Sequence, residues 1–292
     1  MGKHDSWNLA EGDALTPELT AMRLLGGGFA YEAYLAFDEI TLSPVVVKVL
    51  RPGQVTDESG LRGLRREIAT LGMVNHPVVV RELRHELDGP RPHVVLEHID
   101  GPRLSTLIRR YGPLQEQQYL PLAIDVAAAL HYLRHVEVVH LDIKPSNIIM
   151  GAPARLIDLS IARTIERAAA TTAQLGTDFY MSPEQVDPGR RGVPGPASDV
   201  WGLGATLFEA IAGHRAFEDG EPAADDLAVR FPQLADAPYT LPDTVPADIA
   251  KVVGSCLEPD PANRPLPHEV SSALEPALAR QPRGRLTFKV RL

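Results

Sequence analysis

The feature that constrains this chain most is a set of isolated polar side chains near its middle. Residues 140–147 read HLDIKPSN, which puts Asn147 five positions after Asp142, and another carboxylate, Asp158, interrupts the apolar run 156–159. Burying an unpaired carboxylate is costly, so an aspartate between apolar residues needs a partner or a metal ion. A proton-accepting carboxylate beside Asn and Asp oxygens that can hold divalent ions suits transfer of a phosphoryl group from a nucleoside triphosphate. The pattern predicts a fold that buries such a site.

The composition is that of a folded acidic protein. Of the 292 residues, 44% are hydrophobic, which is enough for a substantial core. The net charge of -9 provides no basic footprint, so we expect no nucleic-acid partner. Cys256 is the only cysteine, which excludes an intrachain disulfide and favours a cytoplasmic protein. The longest apolar stretch, residues 200–213, contains Glu209 and is shorter than the roughly 20 residues of a membrane-spanning helix, so we expect no membrane span.

The first third of the chain is rich in strand patterns. Residues 1–18 are polar and predict a loose lead-in. Strands are expected in pairs around turn residues: 19–36 and 45–50 around a glycine-rich turn, then 78–83 and 93–99 around the turn at 88–90. Between the pairs, apolar residues at spacings of three and four predict a helix with Glu67 on or beside its apolar face: Leu61, Leu64, Ile68 and Leu71.

After residues 100–102 the pattern changes to long helical segments, including 120–133 and 200–211, separated by Pro- and Gly-rich loops. This order predicts an α+β fold with a small β-rich lobe, a short hinge and a larger α-helical lobe. A ligand is expected in the cleft between the lobes.

Two features of the predicted β-rich lobe each have a plain and a functional interpretation. The glycines of residues 26–28 could form a tight hairpin turn, or their backbone could approach a phosphate. Lys48, within the apolar strand 45–49, could lie at a strand edge with its amine in water, or could pair with Glu67 and hold its ammonium against phosphates.

Taken together and in this order, Lys48, Glu67, the segment 140–147 and Asp158 resemble the protein kinase family. The chain is most similar to the eukaryotic-like Ser/Thr protein kinases of bacteria. The resemblance implies a two-lobed kinase fold with the domain at 19–277. Its parts would be an N-lobe at 19–98 and a C-lobe at 99–277, with the lead-in 1–18 before it and a basic tail 278–292 after it.

The resemblance also implies roles for individual residues. Asp142 would be the catalytic base, Lys144 would lie near the γ-phosphate, and Asn147 and Asp158 would hold Mg²⁺. Lys48 would contact the α- and β-phosphates of ATP and pair with Glu67. The backbones of Glu97 and Ile99 would contact adenine, with Leu96 at the back of the pocket. The full set of nucleotide-binding residues implied in this way is Leu25, Gly26, Gly27, Gly28, Ala33, Val46, Lys48, Glu67, Leu96, Glu97 and Ile99.

Later motifs resemble structural parts of the same family. Residues 176–184 resemble the end of an activation segment and would bring Thr177 beside Asp142 and Lys144. Residues 198–204 resemble the buried helix that follows. Arg264 would be the partner of Glu184.

The chain departs from the family pattern at several positions. In the Gly-rich loop, Tyr31 stands where the third glycine is expected and Ala30 where an aromatic residue is usual. Leu141 replaces the arginine that reads a phosphate on the activation segment, which leaves one fewer cation to order that segment. The hypothesis that follows is that Thr171 and Thr172 are phosphorylated without being required for activity. After Asp158, leucine and serine replace the usual aromatic residue and glycine.

The resemblance implies an ATP- and Mg²⁺-dependent protein Ser/Thr kinase in bacterial signalling, with protein substrates. Two alternatives stay open: a pseudokinase that regulates by binding nucleotide or a partner, and a small-molecule phosphotransferase with the same core. The retained lysine, base and metal ligands count against the first, and the residues after Asp142 count against the second. Residues 285–292 alternate apolar and polar side chains like a strand, which predicts either a frayed terminus or docking to a sheet edge, in a homodimer or in a partner.

Overall fold

The computed structural model describes residues 5–281 of the chain. Within that range the first lobe is a six-stranded antiparallel sheet in the order β1-β2-β3-β4-β6-β5, packed against one long helix, α1. The bounds of these elements are β1 (Ala14–Thr16), β2 (Leu19–Gly27), β3 (Tyr31–Asp38), β4 (Ser43–Leu50), α1 (Glu58–Met73), β5 (Glu82–Glu86) and β6 (His93–Glu97).

The register of the central strands sorts the side chains onto two faces. Ala33 is opposite Lys48, and Val46 is opposite both Leu35 and Leu96. Directly opposed residues share a face, so these side chains point toward α1 and the second lobe. The alternate residues form a separate apolar cluster on the other face: Leu15, Leu19, Ala21, Tyr34, Ala36, Val45, Val47, Val49 and Val95. The strand pattern therefore directs Lys48 to the side of the cleft.

Helix α1 carries Glu67 to the same place. The Asp57 carboxylate caps its first turn by accepting a hydrogen bond from the Gly60 backbone N–H at 2.9 Å. Its buried apolar face consists of Leu64, Ile68 and Leu71. Each such side chain contributes about 1.5–3 kcal/mol when it leaves water, which holds the helix on the sheet.

The second lobe is mostly helical and is built around α3. That helix packs against α6 and α9, and its core is continuous with residues of the first lobe such as Leu50 and Leu96. Its elements are α2 (Leu104–Tyr111), α3 (Glu116–His135), β7 (Val138–Val139), β8 (Ile148–Ile149), β9 (Arg155–Leu156), β10 (Arg163–Thr164), α4 (Ile165–Ala169), α5 (Pro183–Val186), α6 (Pro196–Ala212), α7 (Leu227–Arg230), α8 (Ala247–Cys256) and α9 (Pro267–Arg280). The two-lobed α+β fold predicted from the sequence is confirmed.

The hairpin predicted at 78–83 and 93–99 is shorter than expected. The paired strands are β5 and β6, and residues 78–81 do not belong to them. Val79 instead forms a parallel bridge with Leu156 of β9, and the Val80 N–H donates to the Leu156 carbonyl at 2.9 Å. The apolar run is buried because it joins the two lobes, and not because it forms a strand of the hairpin.

The lead-in predicted at 1–18 is more ordered than expected from residue 5 onward. The Trp7 indole N–H donates to the Leu50 carbonyl at 2.7 Å, and Leu15 of β1 is buried. Three apolar side chains of the segment, Trp7, Leu9 and Leu15, pack against the cluster on this face of the sheet and anchor the segment there. The strand pattern at 285–292 lies outside the described residues. Among residues 5–281, no helix combines the length and apolarity that crossing a membrane demands.

Candidate active site

The loop that carries Asp142 lies between β7 and β8 and is held by a buried carboxylate. Asp199, in the first turn of α6, accepts hydrogen bonds from the backbone N–H groups of His140 at 2.8 Å and Leu141 at 2.7 Å. Burial raises the pKa of Asp199 to about 7. Leu141 has a φ of 64°, a left-handed conformation that costs energy for a leucine and persists because Asp199 holds its N–H. This arrangement fixes the position of the next residue, Asp142.

The Asp142 carboxylate contacts three polar side chains. Thr177 donates its hydroxyl to Oδ1 at 2.7 Å, Lys144 Nζ donates to Oδ2 at 2.6 Å, and Asn147 Nδ2 donates to Oδ2 at 2.9 Å. Lys144 Nζ also donates to the Thr177 hydroxyl oxygen at 2.5 Å. The predicted grouping of Thr177 with Asp142 and Lys144 is thus present. A carboxylate that accepts a hydroxyl beside a lysine ammonium can orient an acceptor alcohol and take its proton.

Lys48 lies between two carboxylates from different elements. Its Nζ donates to Glu67 Oε1 and to Asp158 Oδ1, both at 2.8 Å, and its side chain is 6% exposed. Burial alone would lower the pKa of the Lys48 amine, but the charges of Glu67 and Asp158 outweigh it and raise that pKa. The amine is therefore a permanent cation. Because Lys48 is buried and paired, its amine does not lie in water at a strand edge, and that interpretation is excluded.

Asn147 and Asp158 lie at the same end of one strand pair, β8 and β9, where the Ile157 N–H donates to the Asn147 carbonyl at 2.9 Å. Asp158 follows β9, and the Lys48 ammonium keeps the pKa of this carboxyl below its usual range against the opposing effect of burial. Asn147 ends the turn before β8, and its amide NH₂ donates to the Asp142 backbone carbonyl at 3.0 Å as well as to its carboxylate. Because the NH₂ group makes those bonds, the Asn147 amide oxygen is the group left to act as a ligand.

The donor set formed by Asn147 and Asp158 fits Mg²⁺. Magnesium prefers hard oxygen ligands and is commonly held by one or two carboxylates together with substrate phosphates. Within residues 5–281, no group of three or more His, Cys, Asp or Glu side chains forms a metal site of its own. An ion at Asn147 and Asp158 would accordingly depend on phosphate oxygens, as expected for an ion that arrives with a nucleotide.

The glycine-rich segment is a tight turn with an exposed backbone, so both interpretations of residues 26–28 are compatible with it. Gly26 has a φ of 141°, and a Cβ added at Gly27 would lie 2.4 Å from the Tyr31 carbonyl oxygen. The Gly28 N–H donates to the same carbonyl at 3.0 Å. Glycine is thus required by the turn itself at residue 27.

Tyr31, where the family pattern has glycine, points into the cleft. Lys48 Nζ lies 3.8 Å from the centroid of the Tyr31 ring, and the phenol hydroxyl donates to Asp158 Oδ2 at 3.4 Å. Burial raises the pKa of this phenol, so it remains a protonated donor. The sequence marked the position as a departure and did not show that it contacts both Lys48 and Asp158.

The residues predicted around adenine lie on the cleft side of the sheet. Ala33, Val46 and Leu96 share the face of Lys48, whereas Leu25 is exposed near the end of β2. The Glu97 N–H donates to the Arg81 carbonyl at 3.0 Å, so an adenine contact from Glu97 would use its carbonyl oxygen. Ile99 is half-buried two residues further on.

The Glu97 side chain forms ion pairs with an arginine of each lobe, at the point where the chain passes from the first lobe to the second. Its carboxylate accepts hydrogen bonds from the Arg81 guanidinium at 3.2 Å and from the Arg155 guanidinium. Arg155 belongs to β9 of the second lobe, so the ion pairs tie the hinge to both lobes.

Two further clusters of side chains include residues between 163 and 184. Glu184 and Arg264 form the predicted pair through two hydrogen bonds of 2.7 and 2.9 Å, and both side chains are 0% exposed. A separate cavity of about 430 Å³ is lined mainly by three arginines and two threonines: Arg66, Arg163, Arg167, Thr171 and Thr172.

The arginine cluster adds to what was expected from Leu141, and the role of Thr171 and Thr172 stays a prediction. Arg163 Nη1 already donates to the Thr171 hydroxyl at 3.0 Å. Burial, together with the charges of Arg66 and Arg167, lowers the pKa of Arg163. The segment therefore has several cations beside it although the arginine before Asp142 is missing. The only sequence signal was the presence of arginines beside Glu67 and after Asp158, which does not reveal that they meet.

Comparison with known proteins agrees with this geometry. The family model described as "Protein kinase domain" matches residues 19–273. The chain is 31% identical over 253 residues to the serine/threonine-protein kinase PknB of Mycobacterium leprae, covering 82% of this chain and 40% of that protein. It is 29% identical over 257 residues to the serine/threonine-protein kinase PrkC of Bacillus subtilis, covering 87% of this chain and 39% of that protein. The chain thus spans about two fifths of the length of these curated relatives.

Proposed function

This chain belongs to the protein kinase family, and from that premise we propose that it transfers the γ-phosphoryl group of ATP to serine and threonine hydroxyls of protein substrates. The observation that carries the proposal is the Thr177 hydroxyl donating to the Asp142 carboxylate while accepting from Lys144. The protein already holds an aliphatic hydroxyl against its proposed base, in the contact that an acceptor serine or threonine needs. The relatives are named serine/threonine-protein kinases, which supports the same assignment.

In the proposed reaction, Asp142 accepts the proton of the substrate hydroxyl and directs its oxygen toward the nucleotide. Lys144 provides a positive charge beside that oxygen. On the opposite side, Lys48 binds the nucleotide phosphates, and Glu67 restrains its ammonium through the 2.8 Å contact. Mg²⁺, held by Asn147 and Asp158, would supply positive charge to neutralise the transferring phosphoryl group.

The nucleoside end of ATP is assigned to the apolar cleft face of the sheet. Ala33, Val46 and Leu96 offer aliphatic surface to adenine, and the backbones of Glu97 and Ile99 offer hydrogen bonds. The exposed backbone of residues 26–28 would lie over the phosphates. We propose the lobes at 19–98 and 99–277, in keeping with the family match at 19–273.

A protein substrate is favoured over a small molecule by the segment beside the base. Within residues 176–184, Thr177 contacts Asp142, and the buried Arg264 anchors Glu184. This segment is a fixed surface next to Asp142 on which a polypeptide could lie. No finding supports the pseudokinase alternative, since Lys48, Asp142 and the two metal ligands are all present.

The test is transfer of labelled γ-phosphate from ATP with Mg²⁺ to the chain itself and to a Ser/Thr-rich protein acceptor. We expect phosphoserine or phosphothreonine with the wild type and its loss in Asp142→Asn. Asp225→Asn, a change of the same kind at an exposed position, is the matched control and should remain active. If the folded wild type binds ATP but labels no hydroxyl in either acceptor, the proposal is wrong and a regulatory, non-catalytic protein becomes the better explanation.

A further inference from the structure

The Lys48 ammonium has no direction left for a phosphate in this structure. An ammonium carries three N–H donors. One donor is used by Glu67 and one by Asp158, and the remaining side faces the Tyr31 ring, whose centroid is 3.8 Å from Nζ. The phenol hydroxyl of the same residue donates to the second oxygen of Asp158, Oδ2, at 3.4 Å. One side chain thus covers the proposed phosphate-binding lysine and contacts the proposed metal ligand, whose side chain is 28% exposed.

Both groups would need to be open for the nucleotide. A phosphate oxygen bonded to an ammonium lies about 2.7–2.9 Å from the nitrogen, which is closer than the ring centroid and on the same side. An ion at Asp158 would need the oxygen that the phenol now contacts. The Tyr31 side chain and the phosphates with their metal ion therefore exclude each other.

We propose that Tyr31 is an internal occupant of the phosphate subsite, which the phosphates of ATP must displace before they reach Lys48 and Asp158. The inference rests on the proposed function, because it takes Lys48 and Asp158 as the phosphate and metal groups. The register of β3 directs the ring to this side, since Tyr31 shares the cleft face with Ala33 and Lys48. A change of face would require a slip of the whole strand, so displacement occurs by rotation of the side chain.

Displacement is possible because of where Tyr31 lies. It is the first residue of β3 and follows the exposed glycines 26–28 after two intervening residues. Its carbonyl accepts from the Gly28 N–H, so the backbone of the turn stays closed while the side chain rotates away. Rotation of the side chain would break the cation–π contact of the ring with the Lys48 ammonium and the long hydrogen bond of 3.4 Å to Asp158.

If Tyr31 occupies the phosphate subsite, it should weaken the binding of ligands that carry phosphates and leave the binding of other ligands unchanged. When only a fraction of the molecules has an open site, the apparent dissociation constant rises by the inverse of that fraction. A cation–π contact with a desolvated ammonium corresponds to about a tenfold bias toward the covered state. Removing the ring should therefore tighten Mg-ATP binding by about tenfold. Adenosine has no phosphate and should bind wild type and variant equally.

The experiment is isothermal titration calorimetry of the full chain with Mg-ATP and, separately, with adenosine. The variants are Tyr31→Ala and Tyr31→Ser, either of which removes the ring, so that one folded variant is sufficient. Tyr31→Phe keeps the ring and should resemble wild type. Tyr111→Ala, which removes a tyrosine that is 74% exposed on α2, is the matched control.

Tighter Mg-ATP binding by Tyr31→Ala or Tyr31→Ser, with adenosine affinity unchanged, supports the inference. Equal or weaker Mg-ATP binding by a folded variant overturns it, and weaker binding would mean that Tyr31 assists the phosphates. A parallel gain for adenosine also overturns it, because the ring would then be covering the whole cleft. If none of the proteins binds either ligand, the proposed function itself fails. That outcome is distinct from equal affinities in binding-competent proteins, which refutes only the role of Tyr31.

Discussion

Replacing Arg264 with leucine should destabilise the larger lobe by about 3–5 kcal/mol. The Arg264 guanidinium donates to both oxygens of Glu184, and neither side chain is exposed to solvent. It also donates to the backbone carbonyls of Ala197 at 2.9 Å, Glu258 at 2.7 Å and Pro259 at 3.1 Å. With the guanidinium gone, the hydrogen bond from Ser198 at 2.7 Å would be the one that the buried Glu184 carboxylate keeps among residues 5–281.

The size of the effect comes from what remains after the substitution. Breaking a fully buried ion pair by removing one partner leaves an uncompensated charge in an apolar site, which is much more costly than losing an exposed pair. Leucine restores part of the apolar packing, including contact with the Trp201 ring beneath the guanidinium, but it supplies no donor. At roughly 2–3 °C per kcal/mol for a chain of this size, the melting temperature should fall by about 6–15 °C.

Urea and thermal denaturation, followed by circular dichroism, measure the change. Arg280→Leu is the matched control: its side chain is 58% exposed and pairs with Asp248 at 2.9 Å, so its loss should change stability by less than about 1 kcal/mol. Glu184→Leu combined with Arg264→Leu should recover part of the loss, because no unpaired charge remains. If Arg264→Leu is no less stable than Arg280→Leu, the buried pair does not stabilise the lobe in this way.

Three further predictions concern the site and the pH dependence of stability. Thr177→Val removes the hydroxyl that bridges Lys144 and Asp142, so phosphorylation of a peptide should slow by about 10–100-fold while the melting temperature stays within about 2 °C. Thr171→Ala with Thr172→Ala should leave that rate within about threefold of wild type, because Asp199, and not a phosphate, holds the catalytic loop. The hydrogen-bonded Arg84 guanidinium lowers the pKa of Asp38 well below its usual range, so this pair stabilises the protein above about pH 4 and less as the pH falls. Urea titrations should show that wild type loses more stability than Asp38→Asn between about pH 6 and pH 3.

Each of these predictions has a result that contradicts it. An unchanged rate in Thr177→Val would mean that the hydroxyl does not help to position the base. Loss of turnover in the folded double variant at 171 and 172 would show that a phosphate is needed, with the neighbouring arginines as its receptors. Equal pH profiles for wild type and Asp38→Asn would mean that the Arg84 contact does not shift the titration of Asp38 in solution.

Much of the fold and of the candidate site could be predicted from local patterns. Apolar spacings of three and four in α1, alternation in the strands, and glycines at the turn each report on neighbours within a few residues. The segment 140–147 and Asp158 indicated phosphoryl-transfer chemistry because hard oxygen ligands and a proton acceptor in that order have few other uses. The pairing of Lys48 with Glu67 was one of two interpretations of the local patterns, and the resemblance to a family favoured it.

The predictions that needed correction depended on contacts between distant parts of the chain. Residues 78–81 have the apolar pattern of a strand, yet Val79 pairs with Leu156 and joins the lobes. The lead-in is polar in sequence, yet a tryptophan and two leucines anchor it on the sheet. Burial of short apolar runs is decided by which element comes to lie over them, and a periodicity within the run contains no such information.

By itself, the sequence determined the two-lobed architecture and the chemistry of the residues around Asp142, since both depend on residue type and on the period of the strand or helix. It left two interpretations of Lys48 open. Only the tertiary structure decided that Lys48 is buried and paired, that the Tyr31 ring covers it and contacts Asp158, and that Arg66, Arg163 and Arg167 meet at Thr171. Those groups come from separate elements, and the distances between them depend on how the elements pack. The strength of an ion pair or of a cation–π contact depends on the distance between the groups, so whether the site is covered or open is decided only in the folded chain.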